Sequence, residues 1–554
     1  MRHGGQILVD QLCEEGCDMA FCVPGESFLA ALDGLYGQND IRTIICRQEG
    51  GAAMMAEAYG KMTGRPGVAF VTRGPGATNA SIGVHIARQD SSPMILFVGQ
   101  ARRGVLNREA FQEVDFPAMF APLAKWSAEI SDTSRIPEFV SRAVHTAMAG
   151  RPGPVVLSLP EDMLRATEKV AHIPVSPIAE PYPGDKDMKA VGEALAQAKR
   201  PLVFTGKSGW SKQVRDNVGS FAEAWDLPVI AMFRAQDCMD NNHPNYAGFT
   251  GLGTDPALVK RFAEADLILA IGPRLGEMST VGYTLLTPPA PKQRLIHVHP
   301  ATEELGSVYR ADIPVNCSLN AFAARLPELK PPKSIPWSDW TKSARADYEA
   351  FSTLQTQTPG DVKLEQVIAH VSETVPDDAI IANGAGNYSG FVHRFTRYRD
   401  HRSQLANTAG AMGYGLPASI GGKLAAPKRS VICYQGDGCF LMNGQELATA
   451  VRYDLPIVII VVNNGMYGTI RMHQEREYPG RVSGTDLVNP DFAAYARSFG
   501  AKGETVLKTD DFPDVFREAL KAKKPTLIEL KVDPEAISPK LTLSEIRAAA
   551  EAKS

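Results

Sequence analysis

At 554 residues the chain exceeds one ordinary domain, and a prior of about 150 residues per domain predicts three or four. With 44% hydrophobic and 22% charged residues and a formal net charge of −4, it reads as an ordinary soluble globular protein with no basic field for nucleic acid or anionic lipid. Met1-Arg2-His3-Gly4-Gly5 does not open a charged-then-apolar leader, and no uninterrupted apolar run reaches about 18 residues, so export and a membrane span are not expected and the expected compartment is the cytoplasm.

In chain order, the apolar runs Val68-Ala69-Phe70-Val71 and Met94-Ile95-Leu96-Phe97-Val98 alternate with longer, Ala-rich helical stretches. That alternation predicts an α/β fold of parallel sheets wrapped by helices. The first block closes with Pro154-Val155-Val156-Leu157-Ser158-Leu159-Pro160, and the proline-rich stretch 173–183 predicts an extended linker. A second block opens at Arg200-Pro201-Leu202-Val203-Phe204 and runs to about Leu326, with strands at Leu267–Ile271 and Leu295–Val298. Prolines return at Pro327, Pro331, Pro332 and Pro336. A third block starts near Gln366 and ends with Thr526-Leu527-Ile528-Glu529-Leu530, before a polar helical tail from about Ser544. The predicted domains are 1–172, 186–330 and 355–535, with a tail over 536–554. The eight cysteines include no C-x-x-C and read as buried thiols.

The chemistry is most legible in the third block. The strand Ser430-Val431-Ile432-Cys433-Tyr434 runs into Gly436-Asp437-Gly438, a glycine turn whose backbone N–H groups can approach an anion closely as a helix begins. After another helix and the apolar strand ending at Val462, Asn463-Asn464 returns an amide oxygen to the same sheet edge. Asp437 and Asn464 then suit Mg²⁺ held between protein and diphosphate. In the first block, Glu49 enters a helix followed by Gly50-Gly51-Ala52-Ala53-Met54-Met55. These small and apolar neighbours would leave its carboxylate poorly hydrated, the setting in which a carboxyl group shares a proton with a ring nitrogen. Glu57, further along the same helix, reads as a solvated charge.

Gly436-Asp437-Gly438 with Asn463-Asn464 resembles the thiamine diphosphate motif of the acetolactate synthase-like and 2-oxo acid decarboxylase superfamily, and Cys46-Arg47-Gln48-Glu49-Gly50-Gly51 resembles its acid motif. The resemblance implies three doubly wound parallel-sheet domains of the pyruvate oxidase/decarboxylase type: an N-terminal pyrimidine-binding domain, a central α/β domain and a C-terminal diphosphate-binding domain. Glu49 would hydrogen-bond N1′ of the cofactor's aminopyrimidine. Within Asn407-Thr408-Ala409-Gly410-Ala411-Met412-Gly413, Met412 matches the residue wedged between the cofactor's two rings. The Gly410 carbonyl would accept from the 4′-amino group, and the Met412 N–H would donate to N3′. Asp437, Asn464 and the Met466 carbonyl would hold the metal. Gly386 and Asn387 match an earlier diphosphate contact, Gly436 and Gly438 border the phosphates, and Tyr467 and Gly468 lie where a loop should cover them.

Val98-Gly99-Gln100 with Ala110-Phe111-Gln112-Glu113, together with Thr72-Arg73-Gly74-Pro75-Gly76-Ala77-Thr78-Asn79, resembles acetolactate synthase, and the likeness spans all three blocks. It implies that Gln112 orients a 2-oxo acid substrate, and that two pyruvate molecules give 2-acetolactate and CO₂. Two active-site departures stand out. His473 occupies a position where the anabolic synthases have a Trp, and Val23-Pro24-Gly25-Glu26-Ser27 places Glu26 and Ser27 where those enzymes carry small apolar residues. Both features leave room for another lyase or decarboxylase of the superfamily, of benzoylformate decarboxylase-like, benzaldehyde lyase-like or 2-hydroxyacyl-CoA lyase-like type. A catalytically silent thiamine diphosphate-binding protein is the remaining alternative. Ile271-Gly272-Pro273-Arg274-Leu275-Gly276 keeps only the Arg of the pattern in FAD-containing synthases, which leaves FAD open. Arg102 and Arg103 read as a solvated pair or as steering groups for an anionic substrate. The expected assembly is a homodimer or homotetramer with active sites at the subunit interface.

Overall fold

The computed structural model describes residues 1–354 and 358–553; the expected start of the third domain at 355 and the final residue of the tail lie outside the described residues. Three six-stranded sheets carry the architecture, and every pairing within them is parallel. Their central strands read as unbroken apolar runs because helices cover both faces; Gly67–Val71, Leu267–Ile271 and Val458–Asn463 are buried along their whole length. The described chain gathers into two compact units, Met1–Ala179 with Ala409–Lys428 and Leu441–Ile457, and Glu180–Thr408 with Arg429–Phe440 and Val458–Ser554.

In the first unit the strands lie in the order Arg42–Ile45, Met19–Cys22, Gly67–Val71, Met94–Gln100, Pro154–Pro160, Trp126–Glu129. Helix Glu49–Thr63 packs on helices Gly74–Asp90 and Gly415–Ala425. Small residues allow the close approach: a Cβ on Gly83 would lie 2.4 Å from that of Ala53, and one on Gly421 would lie 2.5 Å from the Met55 carbonyl. Glu57 corrects the reading of a solvated charge, for it is wholly buried in this helix packing. It meets Lys61 at 2.9 Å and accepts from Tyr414 at 2.6 Å and from Ser92 at 2.7 Å. Burial works against the Lys61 charge, but Asp90 and Glu57 outweigh it and hold the ammonium protonated well above its usual range.

The second unit holds two sheets. One runs Tyr246–Phe249, Val229–Ala231, Pro201–Thr205, Leu267–Ile271, Arg294–His299, Ile313–Asn316; the other runs Gln404–Ala406, Ile380–Asn383, Val431–Gly436, Val458–Asn463, Thr526–Lys531, Lys502–Val506. Buried polar side chains join them. Arg234 donates to the Gly384 carbonyl at 3.0 Å and to that of Asn407, and Gln236 donates to the His393 carbonyl at 2.8 Å. The C-terminal helix Leu543–Glu551 starts at a Thr542/Glu545 capping box and docks on helix Gly468–Glu477, where Arg547 clasps Glu475. All eight cysteines are free, seven of them buried, as expected for inert thiols. Among the described residues no helix is long and apolar enough to cross a membrane.

Candidate active site

The parallel pairing Gly436↔Val462 sets the ends of strands Val431–Gly436 and Val458–Asn463 side by side, which brings Asp437 to the same edge as Asn463 and Asn464. Asp437 is 2% exposed. Its Oδ1 accepts from the Gly438 N–H at 2.8 Å, and its Oδ2 accepts from the Gly465 N–H and from Asn489 Nδ2, each at 2.8 Å. Burial raises this carboxyl above the usual range despite those bonds, so a cation beside it would offset the desolvation.

Asn464 Oδ1 accepts from the Met466 N–H at 3.3 Å, and the Met466 carbonyl accepts from the Gly468 N–H at 2.9 Å. Each of these oxygens has a further lone pair. One carboxylate, one amide oxygen and one carbonyl form a hard, all-oxygen donor set of the kind Mg²⁺ takes alongside phosphate. Among the described residues no group of three or more His, Cys, Asp or Glu side chains gathers that could hold a metal ion.

The glycines around the edge sit close to neighbouring side chains. A Cβ on Gly438 would stand 2.6 Å from the Tyr467 ring, one on Gly386 would stand 2.6 Å from the Tyr388 ring, and one on Gly468 would stand 2.9 Å from Ile537. Gly436 lies within the same rim, beside the ring of Tyr388. Asn387 is held by Thr469 at 2.9 Å and itself donates to the Met472 sulfur at 3.5 Å. His473, on helix Gly468–Glu477, is exposed and lies 3.5 Å from Arg476. The structure thus brings Gly386, Asn387, Gly436, Asp437, Gly438, Asn464, Met466, Tyr467 and Gly468 into one cradle that fits a diphosphate and its metal.

The remaining expected site residues belong to the first unit. Glu49 is half-buried at the first turn of its helix and accepts from Asn79 Nδ2 at 2.9 Å. The turn into that helix is clamped by Glu446, which is fully buried and accepts the Arg47 N–H at 3.0 Å and the Gln48 N–H at 2.9 Å. Gly51 makes room for this clamp, since a Cβ there would lie 2.7 Å from Glu446 Oε1. Gly410, at φ 67°, turns the chain ahead of the half-buried Met412 and the helix Gly415–Ala425.

Gln112 sits in a turn at φ 61°, not on a helix, and its carbonyl accepts the Gly74 N–H at 3.0 Å. Glu26 and Ser27 diverge. Ser27 is 1% exposed and bonds Thr72 at 2.9 Å, whereas the Glu26 side chain is 67% exposed and pairs with Arg73 at 3.0 Å. Arg103 is tied to Asp162 at 2.9 Å, while Arg102 borders a cavity of about 420 Å³ with Arg73, Arg108 and Phe111.

Asn79, Glu446 and Asn489 were not singled out from the sequence. Each contacts a partner at least 30 residues away, so no local spacing marks them.

Three family models match: "Thiamine pyrophosphate enzyme, N-terminal TPP binding domain" over residues 2–119, "central domain" over 188–326 and "C-terminal TPP binding domain" over 384–530. The chain is 31% identical over 547 residues to the acetolactate synthase large subunit of Parasynechococcus marenigrum, covering 96% of this chain and 87% of that protein. It is also 31% identical over 541 residues to the acetolactate synthase large subunit of Lactococcus lactis, covering 96% and 92%. The acetolactate synthase large subunit of Corynebacterium glutamicum is 30% identical over 553 residues, covering 96% and 87%. With the parallel sheets, the glycine-bordered Asp437 edge and this coverage, the chain belongs to the thiamine pyrophosphate enzyme family, among its acetolactate synthase-like members.

Proposed function

We propose that the protein is a thiamine diphosphate- and Mg²⁺-dependent carboligase acting on 2-oxo acids, with pyruvate as donor and 2-acetolactate as product. The observation that carries this reading is the buried Asp437 seat, in a chain alike over 96% of its length to an acetolactate synthase large subunit. Thiamine diphosphate, when bound, would supply the carbanion chemistry that decarboxylation of a 2-oxo acid needs. Asp437, Asn464 and the Met466 carbonyl would hold the metal, and the bare backbone of Gly436, Gly438 and Gly468 would admit the diphosphate. Glu49, steadied by Asn79 at 2.9 Å, would hold a proton at the pyrimidine nitrogen, and Met412 would pack against the cofactor's rings. Gln112 offers an uncharged amide to the substrate carbonyl. We read the active site as shared between two copies of the chain, so that a monomer is inactive. FAD is tested by a yellow chromophore in the purified protein.

The exposed Glu26 beside Arg73 favours a second reading, a lyase or decarboxylase of the same superfamily with a polar group at the substrate entrance. The deciding experiment supplies thiamine diphosphate, Mg²⁺ and, in turn, pyruvate, 2-oxobutanoate, benzoylformate, glyoxylate and acyl-CoA substrates, recording CO₂ and the coupled product. Acetolactate from pyruvate is the expected outcome. Turnover of benzoylformate or an acyl-CoA without acetolactate would favour the second reading. Glu49→Gln is expected to retain the cofactor and slow exchange of its C2 proton at least a hundredfold; near-normal exchange would remove Glu49 from its role.

A further inference from the structure

The second unit contains a cavity of about 410 Å³ that no part of the proposed reaction uses. Its walls are apolar: Phe351, Met472, Leu541, Ile546 and the small faces of Ala549 and Ala550. Four cations also line it, Arg394, Arg476, Lys540 and Lys553. Arg394 is 8% exposed, spends its Nε–H on the Phe351 carbonyl at 2.7 Å and lies 4.6 Å from the Phe351 ring. Its Nη1 has no hydrogen-bond partner and it forms no ion pair among the described residues. Lys540 hangs over the same ring at 5.3 Å. The acid whose field reaches both cations is Asp255, which also caps helix Pro256–Glu264 through the Ala257 N–H at 3.1 Å. The buried Arg394 guanidinium thus keeps an unpartnered Nη1, with Asp255 acting on it only through its field, and the exposed Arg476, Lys540 and Lys553 add positive charge at the rim, so the chamber favours an entering anion.

We propose that this cavity is a second ligand site, closed by the C-terminal helix, for an organic carboxylate with an apolar body: the carboxylate faces Arg394 and Lys540, and the body lies between Phe351, Met472 and Ile546. The volume falls within the range of small-molecule pockets, roughly 300–1,000 Å³. An occupant would press on Met472, the residue that receives Asn387 at the edge of the diphosphate cradle.

The test is calorimetry on the full-length protein saturated with thiamine diphosphate and Mg²⁺, titrated with octanoate and, in parallel, with 1-octanol and octylamine. One octanoate per chain is expected, at least tenfold tighter than either control. The K540A/R476A double variant removes two exposed side chains and should weaken octanoate tenfold or more without loss of cofactor binding; Ala549→Trp, which fills the chamber, should abolish it. Equal binding of octanoate and octylamine, absence of a saturable site, or unchanged affinity in both variants would overturn the proposal.

Discussion

Replacing Glu475 by Gln tests how the C-terminal helix is fastened. Glu475 is buried on helix Gly468–Glu477 and accepts from Arg547 Nε at 2.7 Å and Nη2 at 2.5 Å, from Arg471 Nε at 3.0 Å and from the Gly480 N–H at 2.9 Å. Arg547, then the Gly480 amide and Arg471, pull the carboxyl from its ordinary 4.5 down to about 2 against the opposing effect of burial. At about 1.4 kcal/mol per tenfold change in proton affinity, such a drop corresponds to about 3 kcal/mol. The Arg547 side chain is 36% exposed, so screening leaves about 1–2 kcal/mol as the working figure.

Because the folded value lies below the unfolded one, this stabilisation is fully present above pH 4.5 and is lost as the pH falls through about 2. Amide hydrogen exchange over residues 543–551, corrected for intrinsic rates, should therefore show Glu475→Gln opening about 5–30 times more often than the parent at pH 7. The gap should hold down to about pH 5 and shrink below it. Equal exchange at pH 7, or a gap that does not close in acid, would refute the reasoning.

Glu446→Ala should strand the two amides at the turn into the Glu49 helix and cost about 2–4 kcal/mol in urea unfolding, while Glu446→Gln, which keeps an acceptor, should cost about 1–2 kcal/mol. Burial raises the Glu446 carboxyl, so its protonated form is favoured on folding; the advantage of Glu446 over Gln should be largest below the ordinary carboxylate range and fall as pH rises through the folded value. Gly438→Ala should force the Tyr467 ring aside and lower thiamine diphosphate affinity at least tenfold with the fold intact by circular dichroism, as measured by equilibrium dialysis. Lys61→Met removes the cation that Glu57 and Asp90 both face and should cost about 3–5 kcal/mol, with partial recovery in Lys61→Arg.

The sequence was most informative where function is written in contiguous residues. Gly436-Asp437-Gly438 and Asn463-Asn464 each end an apolar strand, and the parallel register then does the rest by placing the two ends together. The alternation of apolar runs and helices was enough to predict α/β sheets. What escaped notice depends on partners brought together only by folding. Glu446 reaches back 398 positions to the Gln48 amide, and Asn489 reaches 52 positions to Asp437. Glu57 misled because an acid within a helix is ordinarily solvated, and nothing near it in sequence marks it as buried. Its burial is set by Tyr414, which arrives from a distant helix. The turn that carries Gln112 was not legible because the chain at Asn107, Glu109 and Gln112 adopts positive φ, which composition does not announce.

The clamp at Glu446 also has a bearing on biosynthesis. During translation the leading sheet emerges long before this carboxylate does, so the amides of Arg47 and Gln48 must be satisfied by water until most of the polypeptide has left the ribosome. A nascent or truncated product ending before residue 446 would then carry a frayed entrance to the Glu49 helix, exposed to proteases at the spot on which the proposed chemistry depends.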